Sequence, residues 1–209
     1  MAKFVVIGAG GRVGQNVLLQ LLEQGHEARA FVRHADAVLL RHPRLSFFTG
    51  DALNTDQLAE AIAGMEVVIA TLGSRAMDKP ISLMSQAMQQ LVSVMQQQGI
   101  RRVLTVGGAG ILQLDERRLR AEAADFPPFL QHVTQDHYRV YQILLKSGLD
   151  WTMACPPYMP SAEATGIYRA QRDYLPDGGT QISAADCAHF LASEALACAY
   201  LGHRVGLAY

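Results

Sequence analysis

Lys3-Phe-Val-Val-Ile-Gly8-Ala-Gly-Gly11-Arg-Val-Gly14 decides the fold. Residues 3–7 are a short apolar run, the pattern of a parallel strand buried on both faces. Val13, Val17, Leu18, Leu21 and Leu22 then recur at helical spacing, and Gly25 stands where a helix C-cap belongs. Strand, glycine turn and helix in that order point to a nucleotide-binding loop. One glycine lets the chain turn at the strand end. A second lets the backbone approach a pyrophosphate, and a third lets the helix pack close to the strand. The helix N-terminus then offers unpaired N–H groups and a positive dipole end. The spacing is Gly8-x-x-Gly11-x-x-Gly14, with Val13 where the G-x-G-x-x-G form would end on glycine. Without a ligand the same stretch would be a tight turn in a Rossmann-like sheet.

Working outward, strand and helix patterns alternate along the chain, the signature of a parallel α/β sheet. Strands are expected at 27–33, 44–50, 66–71, 101–106, 150–155 and 204–208. Helices are expected at 56–63, 81–98, 129–146 and 184–197. Met84, Met88 and Met95 fall at helical spacing and read as core filling. The expected fold is α/β: a Rossmann-like, doubly wound parallel sheet with helices on both faces, as a single domain over 1–209. In such a sheet ligands sit beyond the carboxyl ends of the strands, where strand order reverses. That directs attention to 8–14, 33–36, 51–52, 71–77, 107–112 and 155–160.

The 209 residues are half hydrophobic and carry a net charge of −1. Near-neutral charge gives no sign of nucleic acid or an anionic membrane as partner. The apolar runs are too short to span a bilayer, and the chain opens on a strand, which leaves no room for a signal peptide. Cys155, Cys187 and Cys198 form no C-x-x-C pair and fit a reducing, cytoplasmic setting.

Sites selective for NAD carry an acidic residue at the end of the second strand, where it holds the ribose 2′-hydroxyl. Here that position is Arg33. Arginine can hold a 2′-phosphate instead, and Arg12 can approach it from the other side, so NADP is favoured over NAD. Asp51 can accept from the adenine amino group beside the small Ala52, or it is an ordinary turn aspartate. At the reaction end the Tyr-x-x-x-Lys proton relay is absent: Tyr138 is followed at that spacing by Gln142, and Tyr141 by Leu145. His132 and His137, five apart on a helix, make a poor metal pair, and no metal is expected. His137 is either a structural histidine or a functional one.

With the glycine loop, Val32-Arg33, Gly50-Asp51, Leu72-Gly-Ser-Arg75, Met84-Ser85, Val133-Thr-Gln-Asp-His137, Ser147-Gly-Leu149, Pro156-Pro157 and Gly166-Ile-Tyr168, the chain resembles a known family. It is similar to the atypical short-chain dehydrogenases of the NAD(P)-binding, NmrA-like group, nearly end to end. Within the group it is most similar to the NADPH-dependent flavin reductases, also called biliverdin-IXβ reductases. The resemblance implies an NADP(H) site made of Gly8, Gly10, Gly11, Arg12, Val13, Gly14, Arg33, Asp51, Ala52, Leu72, Gly73, Ser74, Arg75, Met84, Val106, Gly107, Gly108, Cys155 and Pro156. It implies that His137, Tyr158 and Arg75 border the substrate as candidate catalytic residues. The family's serine after strand five falls on Gly108, and its histidine after the double proline falls on Tyr158. Residues 113–128 read as a longer insert whose charged run, Asp115 to Arg120, is expected to be a solvated helix face.

Little chain follows strand six, so the substrate site should be shallow and open. A planar ring can still stack there on the nicotinamide. The expected activity is NADPH-dependent hydride transfer to a free flavin, quinone or tetrapyrrole, with flavin as substrate rather than prosthetic group. The chain would act as a monomer or small homo-oligomer. The alternatives are a non-catalytic NADP(H)-sensing regulator and an NAD(P)-dependent epimerase or dehydratase.

Overall fold

The computed structural model describes residues 1–74 and 79–209. Along the chain run β1 (Lys3–Ile7), α1 (Arg12–Glu23), β2 (Glu27–Val32), β3 (Leu45–Thr49), α2 (Thr55–Ile62), β4 (Val67–Ala70) and α3 (Leu83–Gln98). Then come β5 (Arg102–Val106), α4 (Gln131–Lys146), β6 (Asp150–Cys155), β7 (Arg169–Arg172), α5 (Ala184–Ala197) and β8 (His203–Ala208). One eight-stranded sheet has the order β3-β2-β1-β4-β5-β6-β8-β7. Every pairing is parallel except β7 with β8. The order reverses between β1 and β4, so a crevice opens at their carboxyl ends.

The strands are apolar on both faces because both faces are covered. Phe4, Val6, Ala28 and Ala30 pack with α1 and α5 residues on one side. Val5, Ile7, Val103 and Met153 pack with residues of α2, α3 and α4 on the other. Burying one such aliphatic or aromatic side chain contributes about 1.5–3 kcal/mol. Met84, Met88 and Met95 lie in the second core, as their spacing predicts.

Helix starts follow the sequence. Asn54 caps α2 by accepting from the Gln57 amide at 3.1 Å, and Ser183 caps α5 by accepting from the Asp186 amide at 2.9 Å. Gly99 ends α3 in the left-handed region, at φ +71°.

One local expectation fails, and one element was not foreseen. The run Asp115 to Arg120 is not a helix face. Asp115 accepts from the amides of Arg117 and Arg118, each at 2.9 Å, which bends the chain into a turn. The short strand β7 is the other surprise. Arg169-Ala-Gln-Arg172 has no apolar alternation, and it forms because β8 leaves a free edge for its backbone to pair with.

Candidate functional site

The glycine turn is built by close approach. At Gly8 φ is +83°, and an added Cβ would lie 3.1 Å from the Thr71–Leu72 backbone. Thr71 Oγ1 donates to the carbonyls of Ile7 and Gly8, at 3.2 and 3.1 Å, and so stitches the end of β4 to the turn. A Cβ on Gly14 would meet Gly8 O at 2.6 Å and Ala9 Cα at 2.8 Å, which makes it the glycine of helix–strand contact. A Cβ on Gly10 would meet the Ala37 Cβ at 2.8 Å. Gly11 is different: it is exposed, and its Cβ direction is clear except for Gly8 O at 3.4 Å.

Gly11 is the N-cap of α1, and the first intrahelical bond comes from the Gln15 amide at 2.9 Å. The amides of Arg12, Val13 and Gly14 therefore have no helical acceptor. No acidic side chain occupies the first turn. Open backbone at Gly11 beside unpaired amides and a positive helix end fits a pyrophosphate.

Arg33 stands just past the end of β2, exposed, and its guanidinium has no hydrogen bond or ion pair among the described residues. It is available for a phosphate. Arg12, expected to approach the same phosphate from the other side, makes a protein contact in this structure. Its Nη1 donates to the Met159 carbonyl at 2.9 Å and reaches Ser161 Oγ at 3.5 Å, so it ties the segment after β6 across the loop. Asp51 is held as a turn residue: Oδ1 accepts from the Leu53 amide at 2.9 Å. It remains exposed.

Several residues expected at the cofactor have side chains in the core. Ala52, Leu72, Met84 and Val106 line an apolar cavity of about 10 Å³ beneath the crevice, with Ile7 and Val140. Val13, in the first turn of α1, is buried in the first core, and Cys155 is fully buried, where burial pushes its thiol pKa up. Of these, Ala52, Met84, Val13 and Cys155 are buried, whereas Leu72 and Val106 are half-buried. Gly73 is exposed and Ser74 half-buried at the β4 end, while Arg75 lies outside the described residues.

On the β5 side, the Gly107 amide donates to Ala154 O at 2.7 Å and the Ala109 amide to Pro156 O at 2.9 Å. Gly108 lies between them. A Cβ there would point at His137 Nδ1, 3.2 Å away. So the structure brings together two residues singled out separately in the sequence. Burial drives the His137 pKa down to about 4, with the neighbouring Asp136 carboxylate working weakly the other way. His137 makes no hydrogen bond among the described residues and is neutral at pH 7. Tyr158 is 69% exposed, and its placement comes from the backbone: its carbonyl accepts from the Ile182 amide at 3.1 Å.

Asp136 is the residue that sequence reasoning passed over. It is fully buried on α4, and Oδ2 accepts from the Met84 amide at 3.0 Å, in the first turn of α3. Oδ1 accepts a short bond from the Ser85 hydroxyl and a longer one from Arg139 Nε at 3.4 Å. Ser82, the N-cap of α3, makes no side-chain cap of its own, so Asp136 caps α3 from another helix. The signal was present as an acidic residue next to His137, but nothing local says which helix end it serves. Among the described residues no group of three or more His, Cys, Asp and Glu is placed to hold a metal. Among the described residues no helix is long and apolar enough to cross a membrane.

A family model described as NAD(P)H-binding matches residues 8–197, and the chain belongs to that family. The chain is 26% identical over 194 residues to the uncharacterised protein YwnB of Bacillus subtilis, covering 89% of this chain and 88% of that one. It is 30% identical over 134 residues to a 3-beta-hydroxysteroid dehydrogenase of Mycolicibacterium neoaurum, with 56% of this chain aligned to only 36% of that protein. Among solved structures, a Streptococcus pneumoniae protein provisionally assigned as an NADH-flavin reductase superposes with a TM-score of 0.87 at 24% identity. It covers 100% of this chain and 99% of its own. A Bacteroides thetaiotaomicron protein provisionally assigned as an epimerase gives a TM-score of 0.87 at 25% identity, covering 100% and 97%.

Proposed function

We propose that the protein is an NADPH-dependent reductase of a planar acceptor such as a free flavin or a quinone. The observation that carries this reading is the glycine turn, where open backbone at Gly11 meets the unpaired first-turn amides of α1 near exposed Arg33. A histidine with a pKa near 4 is not a proton donor at neutral pH, and no Tyr-x-x-x-Lys relay stands in for it. That suits an acceptor whose reduction needs no acid from the protein. Bound NADPH would supply the hydride, the acceptor taking it together with a proton from solvent.

The chain's own groups bind and orient. The amides of Arg12 to Gly14 and the open backbone at Gly11 hold the pyrophosphate. Arg33 holds the 2′-phosphate and so selects NADPH. Arg12 fixes residues 159–161 across the glycine turn and bounds the crevice on that side. His137, neutral, positions the acceptor's polar edge. The flavin-reductase assignment of the Streptococcus pneumoniae neighbour accords with this reading, as does the resemblance carried by Val133 to His137.

NADPH oxidation is to be followed with FMN, riboflavin, quinones and tetrapyrroles as acceptors. Turnover with a flavin or quinone is expected, from protein that carries no flavin on purification. Tight NADPH binding without turnover of any acceptor would instead favour an NADP(H) sensor.

A further inference from the structure

We infer that Gln15 is a positioning residue for coenzyme choice: it latches the turn that follows Arg33 onto the glycine turn, so that the pyrophosphate and the 2′-phosphate of one dinucleotide are met at a fixed separation. The inference rests on the role given to Arg33 in the reading above.

Gln15 lies near the start of α1, and its side chain is exposed. Its Nε2 donates to the Gly10 carbonyl at 3.0 Å and to the Ala37 carbonyl at 3.3 Å. An amide nitrogen carries two hydrogens, so one side chain serves both acceptors. The first belongs to the glycine turn, and the second to the segment beyond β2.

The two segments touch. A Cβ on Gly10 would lie 2.8 Å from the Ala37 Cβ, closer than two carbons pack, so glycine there is what lets residues 35–37 lie against the loop. The Ala37 amide donates to the His34 carbonyl at 3.1 Å and closes that turn on itself. His34 directly follows Arg33, so whatever holds Ala37 also restrains the Arg33 backbone. Among the described residues, no other hydrogen bond ties 33–38 to the glycine turn or to α1.

The covalent frame of a dinucleotide sets how far its adenosine ribose lies from its pyrophosphate. With the pyrophosphate on the amides of Arg12 to Gly14, the 2′-phosphate falls at a set distance from α1. A loose turn would have to be ordered on binding, and that cost would come out of the Arg33 contact. Gln15 removes the cost beforehand. The gain goes to NADPH, which bears the 2′-phosphate, and not to NADH, which lacks it. A neutral amide does this without placing a second charge that would compete with Arg33 for the phosphate.

The test measures NADPH and NADH dissociation constants by fluorescence titration for wild type, Gln15→Met, Arg33→Ala and the double variant, with a melting temperature for each. Methionine keeps the length and helix propensity of glutamine and removes the donor. Gln15→Leu serves as a second donor-free variant. Either should weaken NADPH about fivefold, the weight of one net hydrogen bond, and NADH by less than about twofold. In the Arg33→Ala background Gln15→Met should affect the two cofactors alike, because the residue it positions is gone. Equal losses for both cofactors in Gln15→Met, or no loss for either, overturn the inference, while a selective loss in Arg33→Ala leaves the 2′-phosphate reading standing. A selective loss that persists at full size without Arg33 also overturns it, since Gln15 would then touch the phosphate itself. An unselective Arg33→Ala removes the 2′-phosphate reading and the inference with it.

Discussion

Arg33 and the glycines show how differently single residues in one crevice can be tested. The Arg33 guanidinium has no partner among the described residues, so its removal should leave the fold intact. Arg33→Ala should weaken NADPH relative to NADH by about 1.5–3 kcal/mol, the size of one charge-assisted contact. Titration of both cofactors against both proteins reads this directly, and equal losses for the two would reject the 2′-phosphate role. Gly11→Val places a branched Cβ in the open space over the helix end, where a pyrophosphate needs to lie. It should abolish dinucleotide binding by calorimetry while the melting temperature stays close to wild type. His137 carries a stability consequence. Its pKa is about 4 in the fold and 6.5 as the ordinary value, so the unfolded chain takes up the proton first as pH falls. The contribution is intact above about pH 6.5, declines through the window down to about 4, and is lost below it. Water at the open edge of the ring screens part of the effect, leaving about 1–3 kcal/mol. Urea melts at pH 7 and 4.5 should show a smaller acid loss for His137→Gln than for wild type.

Among the elements, α3 and α4 are coupled by one carboxylate. Asp136 caps α3 and pairs with Ser85 and Arg139, while Arg139 also donates to the Ile81 carbonyl at 2.6 Å. Asp136→Asn removes the charge and turns NH₂ donors toward donors already present. It should cost about 2–3 kcal/mol in chemical denaturation. A loss below about 0.5 kcal/mol would show that the helices are held by apolar packing alone. Such pairings between helices are where the sequence stopped being readable. The β1–α1 unit, the parallel order of strands and the two-sided burial were legible because each rests on local spacing. The contact of Arg12 with the Met159 carbonyl was not legible because its partner is 147 residues away. Ala52, Met84 and Cys155 were expected at the ligand by resemblance, yet their side chains point into the core. A motif marks where the backbone passes, not which face the side chain takes. The strand β7 was missed because edge pairing needs no apolar alternation, only a neighbour with free backbone groups.

At the scale of the molecule, the segment from 156 to 168 is fastened to α5 and the last residue. Buried Asp186 accepts from the amides of Thr165 and Gly166 at 2.9 and 2.8 Å and from Tyr209 Oη at 2.7 Å. Burial alone would raise its pKa, but these bonds together hold it below the ordinary carboxylate value. The same α5 separates two kinds of cysteine. Cys155 and Cys187 are fully buried, with burial raising both thiol pKa values, whereas Cys198 is exposed just past the helix end. The other end of α5 meets the Pro160 carbonyl through the Ala184 amide at 3.2 Å, and fourteen helical residues span about 20 Å. A maleimide should therefore add once to the native chain and three times after denaturation, as counted by mass spectrometry. A single dye then sits at a fixed remove from the crevice. The buried thiols thus give the protein one-site labelling without mutagenesis, and energy transfer from the nicotinamide's own fluorescence becomes an optical gauge of cofactor occupancy.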